Sequence, residues 1–187
     1  MSAISGGNHR VSHVRHRLPG RASGKEADIQ AEVSLRPIAD EDREFLFRVY
    51  AGTREEELAP VPWTPEQKEA FLRMQFDAQH AYYQEHYTGA DFDVVLADGE
   101  PVGRLYLARW TSEHRIVDIA ILPGHRGRGL GSELLRRILA EADAAGKPVT
   151  IHVEVHNPVR RLYDRLGFVP VEERGVYLLM ERPIGVG

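Results

Sequence analysis

The chain has 187 residues, of which 42% are hydrophobic, so it is long enough for one globular domain and too short for two comfortable ones. It contains no cysteine, which excludes disulfides, thiolate metal sites and a cysteine acyl-enzyme, and which fits a reducing, cytoplasmic location. The net charge of -4 combines +5 on residues 1–25 with -9 on the remainder, so the body of the chain favours cationic partners.

Residues 1–30 form a basic N-terminal arm that we predict to be disordered. Its cations lie among Gly, Ser, His and Pro residues, without an apolar period that a packed element could bury. The arm lacks the apolar stretch of a secretory signal, and nothing later approaches the length of a membrane span, so no membrane partner is expected. His9, His13 and His16 have helical spacing, but no carboxylate or thiolate accompanies them and no metal site is expected.

The body begins with a strand and two helices. Alternating apolar and polar residues predict a strand over 33–37, and an acidic start predicts a helix over 39–50. A capping box at residues 64–67 opens a second helix that runs to about Tyr87. The far end of this helix is rich in aromatic residues, most of which core packing would explain.

The rest of the chain alternates strands with two more helices. The Asp98-Gly99 pair is a strong hairpin turn, and Gly146 to Pro148 ends the third helix. Apolar runs predict these strands: 93–97, 102–108, 115–122, 151–155 and 176–180.

Residues 119–132 predict a strand, a loop and a helix that together form an anion site. From residue 130 onward the apolar residues share one helix face: Leu130, Leu134, Leu135, Ile138, Leu139 and Ala142. The first amides of this helix are unpaired and point into the glycine-rich turn, where Arg126 and Arg128 add positive charge. A phosphate or diphosphate group is therefore the expected ligand.

Spacing distinguishes between the known phosphate-binding loops. A P-loop beginning at Gly124 fails because residue 130 is leucine, and a dinucleotide fingerprint beginning at Gly127 fails because residue 132 is serine. The pattern that fits is Arg-x-x-Gly-x-Gly, formed by Arg126, Gly129 and Gly131 directly after a strand. This pattern resembles the coenzyme A loop of the GCN5-related N-acetyltransferases, the GNAT superfamily.

A second motif supports the same resemblance. Residues 157–168 are similar to the family's last conserved block, in which an asparagine opens a short helix that ends in Leu-Tyr-x-x-Leu-Gly-Phe. Asn157 suits an N-cap, Pro158 the first helical position and Gly167 the left-handed residue that ends a helix. The resemblance implies an α/β fold: a single GNAT-like domain over residues 31–187, with a mixed six- or seven-stranded sheet flanked by about four helices.

The resemblance also implies a chemistry, in which an acetyl group moves from acetyl-CoA directly to a primary amine of a small molecule or peptide. Tyr163 occupies the position of the family's general acid, which protonates the CoA thiolate, although a tyrosine packed in the core is the structural alternative. The resemblance assigns these residues to the cofactor: Ile119, Ala120, Ile121, Arg126, Gly127, Arg128, Gly129, Leu130, Gly131, Ser132, Asn157 and Arg160. Arg161 is as well placed as Arg160 for the 3′-phosphate, and both could instead be solvated.

The acceptor side is less closely defined by the sequence. The resemblance places the turn between the first two helices beside the acceptor, and it offers these candidates to line the pocket: Trp63, Tyr82, Tyr83 and Tyr87. An alkylamine has a pKa of about 10, so a base must remove a proton before the nitrogen attacks the thioester. Asp118 lies inside an apolar strand, and Glu154 lies between His152 and His156 on one strand face. We expect Asp118 or Glu154 to accept the proton; polar residues at a strand end are the alternative.

Two other functions remain open. A domain that binds acyl-CoA without catalysis could act as a sensor, but a sensor does not need Tyr163. A nucleic-acid or ribosome-associated protein could use the basic arm, although five charges give only weak, salt-sensitive attraction and no nucleic-acid partner is expected. We expect a monomer or a homodimer.

Overall fold

The computed structural model describes residues 31–185. The basic arm predicted over residues 1–30, with His9, His13 and His16, lies outside the described residues. Seven strands form one mixed sheet in the order β1-β2-β3-β4-β5-β7-β6. The strands are β1 (Val33–Pro37), β2 (Asp91–Ala97), β3 (Glu100–Arg109), β4 (His114–Ile121), β5 (Val149–Glu154), β6 (Val169–Arg174) and β7 (Tyr177–Arg182). The helices are α1 (Arg43–Leu58), α2 (Pro65–His86), α3 (Leu130–Ala145) and α4 (Arg160–Arg165).

The two N-terminal helices follow the predicted signals, with one difference in length. Thr64 caps α2: its hydroxyl accepts a hydrogen bond from the amide of Gln67 at 3.3 Å, and Gln67 returns one to the amide of Thr64 at 2.9 Å. Helix α1 was predicted to end at Tyr50 and instead continues to Leu58. The added turns contain residues of high helix propensity, and the first proline comes only at Pro60.

Strand β6 is the element that the sequence patterns did not identify. It pairs only with β7, at the edge of the sheet, and all six of its residues are exposed. Because neither face is buried, the strand has no apolar alternation to detect, and Pro170 argues locally against a strand. The sheet therefore has the larger of the two predicted strand numbers.

The helices lie on both faces of the sheet and enclose two cores. Helices α3 and α4 cover one face, where Leu134, Ile138 and Tyr163 pack against strand residues such as Ile116 and Ile151. Helices α1 and α2 cover the other face, where Phe45, Leu46, Val49 and Phe76 pack against Val94 and Ala120. The predicted apolar face of α3 is confirmed, since all six of its residues are buried. No helix of residues 31–185 is both long and apolar enough to cross a membrane.

Strands β4 and β5 separate halfway along their length. They pair in parallel only from His114 to Ile116, opposite residues 149–151. The register between β3 and β4 shifts at the same level, because Leu107 is opposite Ile116 and Tyr106 is opposite Asp118, which leaves Val117 as an extra residue in β4. Beyond this bulge a gap opens between the second halves of β4 and β5. We call it the β4/β5 gap.

Candidate active site

The N-terminus of α3 and the loop before it form the anion site at the end of β4. Gly127 and Gly129 have φ of 73° and 81°, in the left-handed region that other residues rarely adopt. Gly129 is the N-cap of α3, and no side chain caps this end of the helix. The amides of Leu130, Gly131 and Ser132 therefore have no partner within the helix, and they join the positive end of the helix dipole.

The loop has room for a ligand. A methyl group added at Gly124, Gly127, Gly129 or Gly131 would meet no atom within 4 Å, so the space around these backbone positions is open. Arg128 is exposed, and its Nη1 lies 3.2 Å from Nδ1 of His125. Open backbone amides at a helix N-terminus next to an exposed cation suit a diphosphate.

Arg126 takes a different position from the one expected of a phosphate-binding side chain. Its Nε donates to the carbonyl of Ile121 at 3.0 Å, and its Nη2 donates to the carbonyl of Gly52 in α1 at 2.9 Å. Its amide also donates, at 3.2 Å, to the carbonyl of Pro123. These bonds tie the loop to β4 and to α1, while Arg128 keeps an exposed guanidinium.

The second half of β4 offers unpaired backbone amides to the β4/β5 gap. The amide of Leu122 donates to Val102 of β3 at 2.8 Å. Since successive residues of a strand direct their polar groups to opposite sides, the amides of Ile121 and Ile119 point away from β3 and toward the gap, whereas that of Ala120 points to β3. The expected amide near Ile121 is thus available to a ligand.

Tyr163 lies on α4, beside the gap and on the α3 face of the sheet. Its side chain is buried, and its ring packs edge-on against Phe168 at 5.5 Å between centroids. Its hydroxyl makes no hydrogen bond with any residue between 31 and 185. Burial, followed by the negative charge of Asp118, raises the pKa of this hydroxyl above its ordinary value. The hydroxyl is therefore protonated, and it can donate a hydrogen bond to a ligand in the gap.

The turn before α4 differs in detail from the predicted cap. The Oδ1 of Asn157 accepts a hydrogen bond from the amide of Val159 at 3.0 Å, but regular helix begins only at Arg160, after two turn residues. Gly167 ends the helix with φ of 83°, as predicted. Arg160 turns back, and its Nη1 donates to the carbonyl of Val155 at 2.7 Å, while Arg161 is exposed. Arg161 is thus the freer of the two cations for a phosphate.

Asp118 belongs to a buried polar network on the α2 face. Its Oδ2 accepts from Nη2 of Arg104 at 2.8 Å and from the hydroxyl of Tyr83 at 3.3 Å, and its Oδ1 accepts from Nε of Arg104 at 3.3 Å. Arg104 also donates to Gln79 of α2 at 2.9 Å. Sequence reasoning missed Arg104, although a charged residue inside the apolar run of β3 was the signal that could have revealed it.

Glu154 lies at the free end of β5 and contacts α1. Its Oε1 accepts from Nη1 of Arg54 at 2.9 Å, and its Oε2 makes no hydrogen bond with a described residue. His152, on the same strand, has Nδ1 at 3.2 Å from Nη1 of Arg115. Burial and then the charge of Arg115 lower the pKa of His152. Because arginine only donates, Nδ1 of His152 is the acceptor and its other nitrogen carries the hydrogen.

A cavity of about 300 Å³ adjoins the end of β5. Its lining comprises Glu154, Val155, His156, Glu173, Gly175 and Val176. Two of these residues are acidic, which suits the cationic partner suggested by the charge of the body. No cluster of three or more metal-ligating side chains occurs within the described part of the chain.

Of the four aromatic residues proposed for the acceptor, the structure brings the three tyrosines together and leaves Trp63 apart. The ring centroids are 6.2 Å apart for Tyr82 and Tyr83, 6.5 Å for Tyr82 and Tyr87, and 5.9 Å for Tyr83 and Tyr87. Trp63 packs on Phe71 at the start of α2, at 5.2 Å between ring centroids. The three tyrosines lie at the other end of this 22-residue helix, roughly 28 Å away at about 1.5 Å per residue. Among them only Tyr83 reaches Asp118; Tyr82 stacks on His86 and Tyr87 on Trp110.

Comparison with known proteins agrees with this geometry. The sequence profile of the acetyltransferase (GNAT) family matches residues 50–168. Streptothricin acetyltransferase of Streptomyces lavendulae is 35% identical over 81 residues, which cover 41% of this chain and 43% of that protein, so the match spans less than half of that relative. A Bacillus subtilis protein, provisionally named a ribosomal protein bS18-alanine N-acetyltransferase, is 26% identical over 147 residues, covering 76% and 84%.

Solved structures show the same fold at low sequence identity. The PaiA N-acetyltransferase of Thermoplasma acidophilum, in complex with coenzyme A, has a TM-score of 0.62 at 18% identity, covering 81% of this chain and 99% of that one. The ribosomal-protein-S18-alanine N-acetyltransferase of Escherichia coli has a TM-score of 0.55 at 17% identity, covering 83% and 96%.

Proposed function

The chain belongs to the acetyltransferase (GNAT) family of acetyl-CoA-dependent enzymes that acetylate amines, and from this premise we propose that its acceptor is a primary amine on a small molecule or peptide. One of the relatives is named for the small molecule streptothricin and another for the alanine of a ribosomal protein. The observation that carries the proposal is the hydroxyl of Tyr163 beside the β4/β5 gap, which has no hydrogen-bond partner among residues 31–185 although the side chain as a whole is buried.

The residues around the gap fit the cofactor. The amides of Leu130, Gly131 and Ser132 and the guanidinium of Arg128 would hold the diphosphate. Further contacts would come from Asn157 to the pantetheine arm, from Arg160 or Arg161 to the 3′-phosphate, and from the amides of Ile119 and Ile121 to the acyl end. Bound acetyl-CoA supplies an acetyl group activated as a thioester.

Tyr163 donates the proton at the departing sulfur. Its raised pKa keeps the hydroxyl protonated throughout the physiological range, so a hydrogen is always available. The same burial makes the phenolate costly, so the hydroxyl first stabilises the developing thiolate through a hydrogen bond. Solvent then restores the proton that Tyr163 gives up.

Glu154 accepts the proton of the amine, directly or through a water molecule. One of its oxygens is bound by Arg54 and the other has no partner among the described residues, so a lone pair remains for the amine. Asp118 was the other candidate, and both of its oxygens accept hydrogen bonds within the buried network. We assign Asp118 to the electrostatics of the gap, where its charge disfavours ionisation of Tyr163.

The acceptor pocket includes the acidic cavity beside β5 and the tyrosine end of α2. The carboxylates of Glu154 and Glu173 favour an acceptor that is cationic before it loses its proton. Tyr83 is placed to contact such an acceptor beside Asp118.

Release of free thiol from acetyl-CoA across a panel of amines tests the proposal. Having no cysteine, the protein adds no thiol background to a dye assay. We expect turnover with one amine class, and Tyr163→Phe should reduce kcat by about 10²- to 10⁴-fold. The matched control is Tyr50→Phe, which removes only a hydroxyl bonded to Gln75 of α2 and keeps the ring that Arg54 lies over, so kcat should be unchanged. Tight coenzyme A binding without turnover of any amine would instead indicate a sensor.

A further inference from the structure

Helix α1 makes an unusually close contact with the loop that precedes α3. The carbonyl of Gly52 accepts the hydrogen bond from Arg126, and a methyl group added at Gly52 would lie 2.8 Å from Cδ of Pro123. Only a glycine allows this approach, because real Cβ atoms do not come so near to a neighbour. Arg126 also binds the carbonyl of Ile121, so the end of β4 is connected to α1 through one side chain.

Two residues later, the same helix contacts the end of β5. Arg54 Nη1 lies 2.9 Å from Oε1 of Glu154 and 2.9 Å from Oε1 of Glu57. The Arg54 and Glu154 side chains are 25% and 35% exposed, so this pair is screened less than most surface pairs. Arg54 also lies over the ring of Tyr50, at 5.9 Å from its centroid, which restricts its position.

These contacts bridge the β4/β5 gap at the level where the strands no longer pair with each other. From β4 the connection runs through Arg126 to Gly52, and from there through Arg54 to Glu154 of β5. We call these two contacts the α1 brace. The ladder between β4 and β5 ends at Ile116 and Ile151, and beyond it the α1 brace is a polar connection between the two strand ends.

We propose that Arg54 is a positioning residue that, through the α1 brace, fixes the width of the β4/β5 gap and so prepares the site for coenzyme A. The inference rests on the proposed function in one respect, that coenzyme A binds in this gap. Arg54 makes no hydrogen bond with a described residue of the glycine-rich loop, so the brace is its connection to that loop. The loss of one positive charge is matched in the control variant Arg73→Met.

Coenzyme A affinity, measured by calorimetry on the full chain, tests the inference independently of catalysis. Arg54→Met should weaken binding by about three- to tenfold, the range expected for a coupled ion pair. Arg54→Lys keeps a cation that can reach Glu154 and should restore affinity to within about twofold of wild type. Arg73→Met is the matched control, because Arg73 also bonds two carboxylates, Glu44 and Glu69, but lies on α2 away from the gap.

Exchanging the charges of Arg54 and Glu154 distinguishes the effect of the α1 brace on coenzyme A binding from the role of Glu154 in acetyl transfer. Arg54→Glu alone places a carboxylate opposite Glu154 and should weaken coenzyme A binding more than Arg54→Met does. Adding Glu154→Arg recreates the ion pair with reversed polarity, so affinity should return to within about threefold of wild type. Acetyl transfer should nevertheless stay low in this double variant, because the carboxylate at position 154 is missing.

The outcomes are distinct. Equal coenzyme A affinity in wild type, Arg54→Met and Arg73→Met, or no recovery in the charge exchange, would overturn the brace. Full acetyl transfer by the charge-exchanged enzyme would support the brace and remove Glu154 from the chemistry. If the wild-type protein bound no coenzyme A, the proposed function itself would fail. Melting temperatures recorded for each variant separate loss of folding from loss of positioning, since Arg54→Met and Arg73→Met each break two ion pairs.

Discussion

Arg104 and Asp118 form a buried ion pair, in which Nη2 of Arg104 lies 2.8 Å from Oδ2 of Asp118 and the two side chains are 3% and 14% exposed. The pair joins neighbouring strands β3 and β4 beneath α2. Ionised groups of this kind are costly to bury alone, because desolvation is compensated only while both partners are present. The pair therefore fixes the position of the Asp118 carboxylate, whose negative charge acts on Tyr163.

Removing Asp118 should destabilise the protein far more than removing an exposed carboxylate. Asp118→Asn leaves the guanidinium of Arg104 buried without a counter-charge, and we expect a loss of about 3 kcal/mol in the free energy of unfolding. Asp77→Asn breaks the exposed pair with Arg43 and should cost less than about 1 kcal/mol. Urea unfolding measures the loss for both variants. Equal losses in the free energy of unfolding would show that burial does not make the Arg104–Asp118 pair more important to stability than an exposed pair.

The close approach of α1 to the loop predicts a contrast between two glycines. Gly52→Ala would force Pro123 away and should cost about 1 to 3 kcal/mol of stability. Gly124→Ala adds a methyl group where no atom lies within 4 Å, so its stability should be unchanged or slightly higher. Thermal unfolding of the two variants tests the contrast. A Gly52→Ala variant as stable as wild type would show that α1 can shift away from Pro123 at little cost.

Substitutions of the two loop arginines, Arg126 and Arg128, should differ in their effects on the melting temperature and on coenzyme A affinity. Arg126→Met removes the side-chain donor to the carbonyl of Ile121 and the second donor to the carbonyl of Gly52, so it should lower the melting temperature as well as coenzyme A affinity. Arg128→Met should lower affinity, more strongly at low salt, and leave the melting temperature unchanged, because Arg128 is exposed and its guanidinium is the proposed phosphate ligand. Calorimetry at two salt concentrations, with thermal unfolding, distinguishes the roles. If Arg128→Met bound coenzyme A as tightly as wild type, Arg128 would not be a phosphate ligand.

His114 should make stability depend on pH in the weakly acidic range. Its imidazole is buried, its Nδ1 has no hydrogen-bond partner among residues 31–185, and burial lowers its pKa below the ordinary value of 6.5. The unfolded chain therefore binds this proton more readily than the folded one, so stability is highest above pH 6.5 and falls as the pH drops below it. His114→Gln should reduce the loss of unfolding free energy between about pH 7.5 and 5.5. The pKa values of His80 and His152 are also lowered, so part of the loss of stability at low pH should remain in this variant. If the pH dependence of stability were the same as in wild type, the assignment to His114 would be wrong.

Local sequence patterns predicted those features of the site that depend on one short segment of the chain. The glycine-rich turn, the apolar face of α3 and the left-handed Gly167 follow from local spacing and local backbone preferences, and the structure confirms each. The predictions for Gly129, Leu130 and Tyr163 also come from short motifs, and the roles of these residues toward the cofactor remain predictions.

Which charged groups form ion pairs and hydrogen bonds with each other depends on the tertiary structure. Arg54 and Glu154 are 100 residues apart in the chain, and Arg126 and Gly52 are 74 apart, so no local pattern could pair them. Trp63 and the tyrosines of α2 are close in sequence, yet the length of the helix separates them. The periodicity of a sequence specifies which face of an element is apolar, whereas ion pairs across the β4/β5 gap depend on how several elements pack together.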